Sequence, residues 1–371
     1  MRMGVTFGVE EELLVVEPRQ GRPLAAGAAV VQHALDALDD DSPYPDDAIE
    51  HEFKREQAEI GSLPCTTTDE LTRQLIELRA VVAAGAAESG AAVAAIGTSP
   101  FKVRPTPTGD ERYERMTAEF GHLARQQLTC GQHVHVEIGS RDEGAAVIDG
   151  IADWLPLLLA LSSNSPFWQG HDTGYASFRT VIWGLWPTAG PSGPFVNAAG
   201  YDAAVADLVR SGAALDEGMV YFDARLSAKY PTVEIRVADV CADVRDAVLV
   251  AAVSRALVVT AAERQQRGTA PQPTPPQWRR AATWRAARHG LTGGLIAPRT
   301  RSVVSAREAL ASLVREIGDA LDESGDRAVV SEGIERLLLE GTGAERQRAA
   351  YARTGSLTGV VEDAVRWTGR S

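Results

Sequence analysis

Four segments of the chain alternate between apolar and polar residues, which is the pattern of β-strands that bury one face. The segments are VTFGVEEEL (5–13), GQHVHVEI (131–138), SFRTVIW (177–183) and TVEIRVAD (232–239). Their polar positions carry carboxylates, an imidazole and guanidinium groups: Glu10, Glu12, His133, Arg179, Glu234 and Arg236. Any one segment is adequately explained as an amphipathic strand with a solvated face. The four together predict one sheet with helices on its apolar face and a polar face that carries chemistry.

Carboxylates that converge on one face repel each other and shift their pKa values unless a cation lies among them. Sites built from several Glu oxygens and an occasional His suit Mg²⁺ or Mn²⁺, which then hold substrate phosphates. A further segment, HEFKREQAEIGSLPC (51–65), contributes Glu52, Glu56 and Glu59. Because Glu52 and Glu59 have opposite parity, they share a strand face only across a bulge or a bend. The sequence leaves that geometry open.

The two histidines of the second segment allow a different metal. His133 and His135 stand two residues apart and can share a zinc ion with Glu137. Zinc catalysis is the weaker alternative, because the other candidate ligands are mostly carboxylates and no cysteine is placed to help. His135 is explained about equally well as a core residue or as a residue that supports a ligand.

The charge balance argues against some partners. The formal net charge is −13, and no run of Lys or Arg marks a surface for nucleic acid or anionic lipid. We therefore expect no nucleic-acid partner and no membrane association. We expect no signal peptide, because the acidic residues Glu10, Glu11 and Glu12 occur before the apolar stretch of a signal peptide could form. The cysteines, at positions 65, 130 and 241, are odd in number and widely spaced, which predicts structural thiols in a reducing cytoplasm.

The order of these patterns predicts one α+β domain over residues 1–371, with a helical C-terminal portion from about residue 244. An early helix is marked by a capping box of Thr67 and Glu70. Its apolar stripe follows the helical period at Leu71, Leu75, Leu78 and Val82. Further helices are expected at 244–266, 277–290, 305–323, 327–340 and 343–368. A proline-rich loop from Gly268 to Pro276 separates the first two of these.

The ordered set of motifs resembles the type 2 glutamate–cysteine ligase family, also called carboxylate–amine ligases. The matching segments are GVEEEL (8–13), EQAEIGSLPC (56–65), GTSPF (97–101), TCGQHVHVEI (129–138), SSNSPFWQGHDTGYASFRT (162–180) and VEIRVADVCADV (233–244). The resemblance implies a fold related to glutamine synthetase and guanidino kinases, a mainly antiparallel sheet curved around a concave active-site face. It also implies that ATP phosphorylates the γ-carboxylate of glutamate, and that an amine, cysteine in named members, displaces the phosphate.

The resemblance also implies roles for individual positions. The implied metal ligands are Glu10, Glu12, Glu52, Glu59, His133 and Glu234. His133 and Arg236 match residues that contact the nucleotide or the transferring phosphate. The implied catalytic residues are Glu59, Glu234 and Arg236. Arg179 resembles the arginine that receives the α-carboxylate of glutamate. A homodimer is a further expectation of the family.

The chemistry agrees with those roles. A carboxylate is a poor electrophile, so an amide-forming enzyme first converts one of its oxygens into a leaving group. In-line phosphoryl transfer needs cations across the phosphates and a guanidinium over the developing charge, which the glutamates and Arg236 would supply. The acyl phosphate must meet the amine before water does. We therefore expect a lid, with Trp183–Phe195 and Gly170–Gly174 as the candidate segments.

Several residues outside the main motifs have two interpretations. Arg285 and Arg288 lie on one helical turn and either reach nucleotide phosphate, as we assign Arg288, or occupy a solvated face. His171 and Asp172 either touch substrate or cap a turn. The tryptophans near these loops are expected to pack rather than to stack on a nucleotide: Trp168, Trp183 and Trp186. Neither a Walker loop nor a GxGxxG after a strand is present, which disfavours P-loop kinases and Rossmann dehydrogenases.

Two other functions stay open at the level of sequence. One is phosphotransfer to a guanidino or amino group without ligation, and the other is a non-catalytic nucleotide- or metabolite-binding protein. The intact acidic set counts against the second, because a retired site need not keep costly clustered charge. The sequence does not identify the acceptor amine, so cysteine is expected from the resemblance alone.

Overall fold

Three of the four alternating segments expected from the sequence belong to one antiparallel sheet in the computed structural model, which describes residues 4–38, 41–271 and 274–370. The strands are β1 (Phe7–Val16), β2 (Ile49–Glu50), β3 (Gln57–Gly61), β4 (Ala92–Ala94), β5 (Gly131–Glu137), β6 (Phe167–Trp168), β7 (His171–Asp172), β8 (Ala224–Leu226), β9 (Thr232–Asp239), β10 (Leu295–Ile296) and β11 (Val303–Val304). Seven of them form the main sheet in the order β2-β3-β1-β5-β9-β8, with β4 paired to β1. The remaining four form two small hairpins.

The register of the main sheet brings the chemical residues of different strands together. Glu12 of β1 lies opposite Glu59 of β3, and Glu10 lies opposite His133 of β5. On the other side of β5, His135 lies opposite Glu234 of β9. Cross-strand neighbours on one face are within contact distance of each other. The central strands therefore present one continuous row of carboxylates and imidazoles.

Helices cover the apolar face and make up the C-terminal portion. They are α1 (Gly27–Asp36), α2 (Thr68–Glu88), α3 (Glu111–Phe120), α4 (His122–Gln126), α5 (Arg141–Ile151), α6 (Leu155–Ser162), α7 (Phe178–Trp183), α8 (Ala198–Arg210), α9 (Val244–Gln266), α10 (Pro276–His289), α11 (Ala306–Glu316), α12 (Gly318–Ser324), α13 (Arg327–Glu340), α14 (Gly343–Thr354) and α15 (Leu357–Thr368). The expected α+β class with an antiparallel sheet is confirmed.

The core lies between the sheet and its helices. Phe7, Val9, Val134 and Ile235 come from the apolar strand faces and pack with buried residues of α9 in one hydrophobic cluster. Burying each such side chain contributes about 1.5–3 kcal/mol. This packing fixes which way the alternate residues of each strand point, and so it sets the direction of the polar row.

Helix α2 forms as its sequence pattern predicted. The Thr67 side chain accepts a hydrogen bond from the backbone N–H of Glu70, and the Glu70 carboxylate accepts one from the backbone N–H of Thr67. The four predicted stripe residues are fully buried: Leu71, Leu75, Leu78 and Val82. The same helix face carries Arg79, which reaches the sheet and pairs with Glu11.

One predicted strand is wrong. The segment SFRTVIW forms α7, because the Ser177 side chain accepts a hydrogen bond from the backbone N–H of Thr180 and caps a helical turn. Local capping of this kind competes with strand pairing. Arg179 is nevertheless buried, with 2% of its surface exposed. The side chain thus points inward from a helix instead of a strand.

The C-terminal helices follow the predicted positions, with two interruptions. The helix expected at 305–323 divides into α11 and α12 around Ile317. The helix expected at 343–368 divides at Gly355, which has a left-handed φ of 62° and ends α14. Glycine adopts that conformation without steric cost. The loop expected at Gly268 to Pro276 includes residues 272 and 273, which lie outside the described residues, and α10 begins at Pro276.

Within the described ranges, no single helix has both the length and the apolar character needed to cross a membrane, although α5 and α6 meet that test together as a bent pair. Cys65, Cys130 and Cys241 are free and buried, and burial raises the pKa of each thiol. This agrees with the predicted role as structural thiols.

Candidate active site

A cavity of about 350 Å³ lies on the polar face of the main sheet, and we call it the carboxylate cavity. Among the residues that line it are the metal-ligand candidates Glu10, Glu12, Glu52, Glu59, His133 and Glu234, together with Arg236. The sheet register explains why they meet, because β3, β1, β5 and β9 are neighbours. Seven predicted site residues are thus brought to one cavity.

Glu12, Glu52 and Glu59 form the first candidate ligand group, in which one carboxylate oxygen from each lies within 4.8 Å of the others. Glu12 and Glu59 face each other across β1 and β3. Glu52 lies between β2 and β3, where the chain leaves the sheet after Glu50 and returns at Gln57. This bend resolves the parity problem, because Glu52 does not belong to a strand.

Glu10, His135 and Glu234 form the second candidate group, again with one ligand atom from each within 4.8 Å of the others. The His135 Nε2 atom lies 3.2 Å from a Glu10 oxygen. His133, the predicted ligand, lies between the groups: its Nδ1 is 3.1 Å from Glu10 and its Nε2 is 3.9 Å from Glu12. The sequence analysis gave His135 a ligand role only in the alternative zinc site and otherwise a supporting or core role, although its strand face is shared with His133.

The pKa values reflect this crowding of charge. Burial, reinforced by the neighbouring charges of Glu52 and Glu10, raises the pKa of Glu59 well above its usual value. Burial also raises the pKa of Glu12, against the opposing influence of His133. Burial acts in the same direction on Glu10, but hydrogen bonds from His133 and His135 outweigh it and hold that pKa well below the usual value. Glu10, whose charge the two histidines compensate, therefore lies beside Glu12 and Glu59, whose charges are not fully compensated.

Two guanidinium groups flank Glu234. Arg236, on the same strand, forms an ion pair with one Glu234 oxygen. Arg225 of β8 donates two hydrogen bonds to the Glu234 carboxylate, at 2.6 and 3.0 Å. The pKa of Glu234 falls to about 2, because Arg236 and Arg225 outweigh the effect of burial. Sequence reasoning missed Arg225, since a strand of three residues carries too little pattern to detect.

Arg179 approaches the sheet from α7. A Cβ atom at position 131 would collide with its guanidinium, which explains a glycine at the start of β5. Its Nη2 lies 3.5 Å from the carbonyl oxygen of Arg236, and its guanidinium carbon is 5.6 Å from the centre of the Trp183 ring. Arg179 lines a second cavity, which shares Arg236 and Trp183 with the carboxylate cavity.

Arg288 lies apart from this group. It donates a hydrogen bond to the carbonyl oxygen of Gly174 and stacks over Tyr175 at 5.5 Å, while Arg285 donates to the carbonyl oxygen of Gly294. Arg288 is not among the residues that line the carboxylate cavity. Its nucleotide contact stays a prediction.

The two candidate lid segments differ in their contacts. Trp183 and Trp186 line the carboxylate cavity, and both rings pack against Tyr221, with centroid distances of 4.7 and 5.5 Å. In the Gly170–Gly174 segment, Asp172 forms an ion pair with Arg348. Trp168 packs against Phe178. The tryptophans therefore pack against protein, as predicted.

A third cavity, of about 440 Å³, opens beside the first, and we call it the apolar cavity. The two share Glu10, Glu50, Glu59, His135, Lys229 and Tyr230. The lining that belongs to the third cavity alone includes the apolar residues Phe7, Val9, Pro45, Ala48, Leu63, Pro64 and Pro231. If a ligand placed its flat, apolar part in this cavity, its polar part would lie at the two candidate sets of metal ligands.

The donor set fits a hard divalent cation. Both candidate groups are dominated by carboxylate oxygens, with one imidazole, which is the ligand chemistry of Mg²⁺ and Mn²⁺. The buried His133 Nε2 has no hydrogen-bond partner within the described ranges, as a potential ligand atom requires. Among the described residues, the ligand atoms of His133, His135 and Glu137 are not one of the groups that lie within 4.8 Å of one another, and Glu137 Oε2 instead accepts hydrogen bonds from the backbone and hydroxyl of Thr6, at 3.1 and 2.9 Å.

Comparison with known proteins gives a consistent result. The sequence profile of glutamate–cysteine ligase family 2 matches residues 6–365. A protein of Paenarthrobacter aurescens, provisionally named glutamate–cysteine ligase 2-1, is 46% identical over 361 residues, which cover 97% of this chain and 94% of that protein. A protein of Streptomyces coelicolor, provisionally named glutamate–cysteine ligase 2, is 46% identical over 363 residues, which cover 98% of this chain and 99% of that protein.

Comparison with solved structures shows which proteins share the fold of this chain. The crystal structure of glutamate–cysteine ligase from Francisella tularensis in complex with AMP has a TM-score of 0.71 to this chain at 14% sequence identity. The matched region covers 99% of this chain and 89% of that protein. At this level of identity the likeness shows a shared fold and nothing more.

Proposed function

The chain belongs to glutamate–cysteine ligase family 2, and we propose that it uses ATP to activate the γ-carboxylate of glutamate and couples it to an amine. Membership of this family makes the chain a relative of ligases. The observation that supports the proposed reaction is the pair of candidate ligand groups on the floor of the carboxylate cavity, each with ligand atoms within 4.8 Å of one another. That arrangement suits cations that hold the phosphates of ATP.

Two groups of residues would hold the divalent cations. Glu12, Glu52 and Glu59 form one, and Glu10, His135 and Glu234 form the other, with His133 between them. Bound Mg²⁺ or Mn²⁺ would neutralise phosphate charge and polarise the bond to the transferring phosphoryl group. The protein contributes a rigid placement, because five of these six ligand residues lie on adjacent strands of one sheet and Glu52 lies in the connection between β2 and β3.

The apolar cavity is the proposed position of the nucleotide base. Its apolar lining would exclude water from the base, while its shared wall with the carboxylate cavity would direct the phosphates to the ligand groups. The Francisella ligase, which shares this fold, was solved in complex with AMP, and this supports the proposal of a nucleotide ligand here.

Arg236 is the proposed contact of the transferring phosphate. It is buried, it lines the carboxylate cavity and its Nε atom has no hydrogen-bond partner in the described part of the chain. A guanidinium in this position stabilises the charge that develops in phosphoryl transfer. Arg179, one side chain away, is the proposed contact of the α-carboxylate of glutamate, so that only the γ-carboxylate faces ATP.

Cysteine is the proposed amine, on the basis of the names of the relatives. The acyl phosphate must be protected from water until the amine arrives. The segment Trp183–Phe195 is the proposed cover, because two of its tryptophans already line the carboxylate cavity.

A phosphate-release assay with mass detection of the product tests the proposal. The purified protein is incubated with ATP, Mg²⁺, glutamate and a panel of amines that includes cysteine. We expect phosphate release that depends on both glutamate and an amine, with a γ-glutamyl amide as product. A folded, metal-supplied protein that cleaves no ATP with any amine would overturn the proposal. A phosphorylated product without a new amide would identify a phosphotransferase instead.

A further inference from the structure

Asp239 lies where three of the sequence motifs meet, outside the three cavities described above. It ends β9, the strand that also carries Glu234 and Arg236, and its side chain is completely buried. Segments 97–101 and 162–180 pack against it, and a Cβ atom at Gly97 would stand 3.1 Å from its carboxyl carbon. Asp239 lines none of those three cavities. A substrate bound in them would therefore not touch it.

The Asp239 carboxylate accepts three hydrogen bonds, all from the segment that leads into α7. The backbone N–H of Asn164 and the hydroxyl of Ser165 donate to one oxygen, at 2.8 and 2.7 Å. The hydroxyl of Ser177 donates to the other oxygen, at 2.8 Å. Hydrogen bonds to a charged acceptor are stronger than those between neutral groups. Asp239 therefore holds the start of α7 onto the end of β9.

The two serines pass this restraint to the first turn of α7. A hydroxyl that donates its one proton to Asp239 keeps its lone pairs for other donors. The Ser165 oxygen accepts a hydrogen bond from the backbone N–H of Arg179, at 2.9 Å. The Ser177 oxygen accepts one from the backbone N–H of Thr180, at 3.4 Å. One carboxylate thus orients two hydroxyls, and these hydroxyls bind consecutive N–H groups of the helix.

The guanidinium of Arg179 is left available to a ligand. None of the three donors to Asp239 belongs to it, and its Nε atom has no hydrogen-bond partner among the described residues. The two charges nevertheless interact, because burial raises the pKa of Asp239 and the charge of Arg179 is the largest influence that opposes this. A buried cation needs a compensating charge. Asp239 supplies negative charge without occupying the donors of the guanidinium.

Other buried arginines of the chain are paired directly with a carboxylate. Arg79 donates to Glu11, and Arg255 donates to Asp326. In both pairs the guanidinium spends its donors on the protein. Arg179 differs from both, because the carboxylate at the end of β9 binds the hydroxyls next to the helix backbone and not the guanidinium. This arrangement suits an arginine that is fixed in direction but has to bind a substrate.

We propose that Asp239 is a positioning residue for glutamate, which fixes α7 through the two serines so that the Arg179 guanidinium is aimed at the α-carboxylate. This inference rests on the proposed ligase function, in which Arg179 binds that carboxylate. Asp239 itself touches no substrate. The direction of Arg179 matters because glutamate must be held with little freedom of movement for its γ-carboxylate to meet ATP.

Asp239→Asn tests the proposal with almost no change in volume. The amide keeps one oxygen but places an NH₂ group where the second oxygen accepts hydrogen bonds, so at least one serine loses its acceptor. We expect the KM for glutamate to rise about 10-fold and the KM for ATP to change by less than about 2-fold. Phosphate release with cysteine as the amine measures both. An unchanged KM for glutamate, or equal rises for glutamate and ATP, would overturn the proposal.

A double-mutant cycle shows whether Asp239 acts through Arg179. We expect Asp239→Asn to lower kcat/KM for glutamate about 10-fold in the wild-type background and less than about 2-fold in the Arg179→Ala background. Mass detection of the γ-glutamyl product keeps the weak activities measurable. A role of Asp239 in the fold alone predicts the same loss in both backgrounds, and that result would contradict the proposal.

Asp326→Asn is the matched control for lost stability. Asp326 is another buried aspartate that accepts a hydrogen bond from a serine hydroxyl, that of Ser324 at 2.9 Å, and it also pairs with Arg255. We expect this variant to lower the Tm at least as much as Asp239→Asn, with a KM for glutamate within about 2-fold of wild type. Equal rises in KM in the two variants would assign the effect to stability and overturn the proposal.

Hydrogen exchange distinguishes failure of this inference from failure of the ligase function, because it needs no substrate. We expect exchange of a peptide covering residues 177–183 to become about 10-fold faster in Asp239→Asn and to stay unchanged in Asp326→Asn. If exchange responds in this way but wild type forms no γ-glutamyl product, the ligase proposal fails and the fixing of α7 by Asp239 stands. If wild type forms the product and exchange is unchanged in Asp239→Asn, the positioning role alone fails.

Discussion

Adjacent glutamates on β1 show two different ways of burying negative charge. Glu11 points toward the helices and is completely buried, and Arg79 of α2 donates two hydrogen bonds of 2.7 Å to its carboxylate. Glu12 points toward the carboxylate cavity, where its near neighbours include Glu52 and Glu59. The two carboxylates are one residue apart, yet one lies opposite a guanidinium and the other among further carboxylates.

The difference separates charge that stabilises the fold from charge that needs a ligand. Arg79 also donates to the carbonyl oxygens of Cys241 and Ala242, so its guanidinium is well satisfied and links α2 to the segment after β9. Glu12 and Glu59 have raised pKa values, because burial and neighbouring carboxylates oppose their ionisation. Carboxylates kept together in this way lower the stability of the folded protein, which indicates that they form a functional site.

The largest effect is expected on the core side. Glu11→Gln leaves Arg79 as a buried charge without a counter-charge, and we expect the free energy of unfolding to fall by about 3–5 kcal/mol. Urea denaturation followed by circular dichroism measures it. Activity per folded molecule should stay close to wild type, since Glu11 does not line the carboxylate cavity. A Glu11→Gln variant as stable as wild type would remove the basis of the comparison.

The opposite pattern is expected on the cavity side. Glu59→Gln removes one of several crowded carboxylates, so we expect glutamate-dependent ATP cleavage to fall at least about 100-fold, while the metal-free protein becomes more stable by a Tm increase of roughly 2–4 °C. Glu56→Gln is a matched control on the same segment, because Glu56 is buried but accepts hydrogen bonds from the backbone of Thr106. That control should keep its activity. A Glu59→Gln variant that is both inactive and less stable would assign Glu59 to the fold.

Divalent cations should stabilise the protein by binding to the carboxylates on the cavity side of β1. Saturating Mg²⁺ or Mn²⁺ compensates the carboxylates, and binding at about 100 times the Kd stabilises a protein by ~2.7 kcal/mol. We expect a clear rise in the Tm of wild type and of Glu56→Gln, and a smaller rise in Glu59→Gln. Differential scanning calorimetry with and without the cation measures this, and an equal rise in all three variants would contradict the assignment.

The pH dependence of that metal effect has a definite sign. Because the folded-state pKa values of Glu12 and Glu59 are raised, their protonated forms favour folding, and that stability is lost as the pH rises through the raised pKa values. The metal-free protein should therefore gain stability from these two groups on mild acidification. The Tm increase caused by the cation should shrink over the same range, since protons and metal compete for the carboxylates.

The sequence predicted those parts of the fold whose pattern is long and regular. Strands β1, β5 and β9 show alternation over seven residues or more, and α2 shows a helical stripe together with a capping box. Segment 177–183 was misassigned, because six helical residues capped by Ser177 carry an alternation that fits a strand equally well. Short elements leave too few residues for periodicity to distinguish a helix from a strand.

The site was predictable to the same extent. The predicted carboxylates and His133 lie on long strands or beside them, and they line one cavity as expected. Arg225 lies on a strand of three residues, where nothing in the local sequence predicts a direction for the side chain. Its position depends on the pairing of β8 with β9, which is a long-range property of the fold.

The smallest effect is expected for a charge that is neither buried nor crowded. Asp172 forms an ion pair of 2.8 Å with Arg348 and accepts a hydrogen bond from the backbone of Gly174, at a partly exposed position. Because exposed ion pairs contribute little, Asp172→Asn should lower the free energy of unfolding by less than about 1 kcal/mol. If Asp172 only shapes its turn, kcat/KM for glutamate should change by less than about 2-fold, whereas a substrate contact would cost about 10-fold or more. Arg348→Gln is the matched control, since it removes the same ion pair from the other side. Equal small losses in the two variants would show that Asp172 only shapes its turn at the surface. Its charge would then neither stabilise the core, as that of Glu11 does, nor take part in the site, as proposed for Glu12.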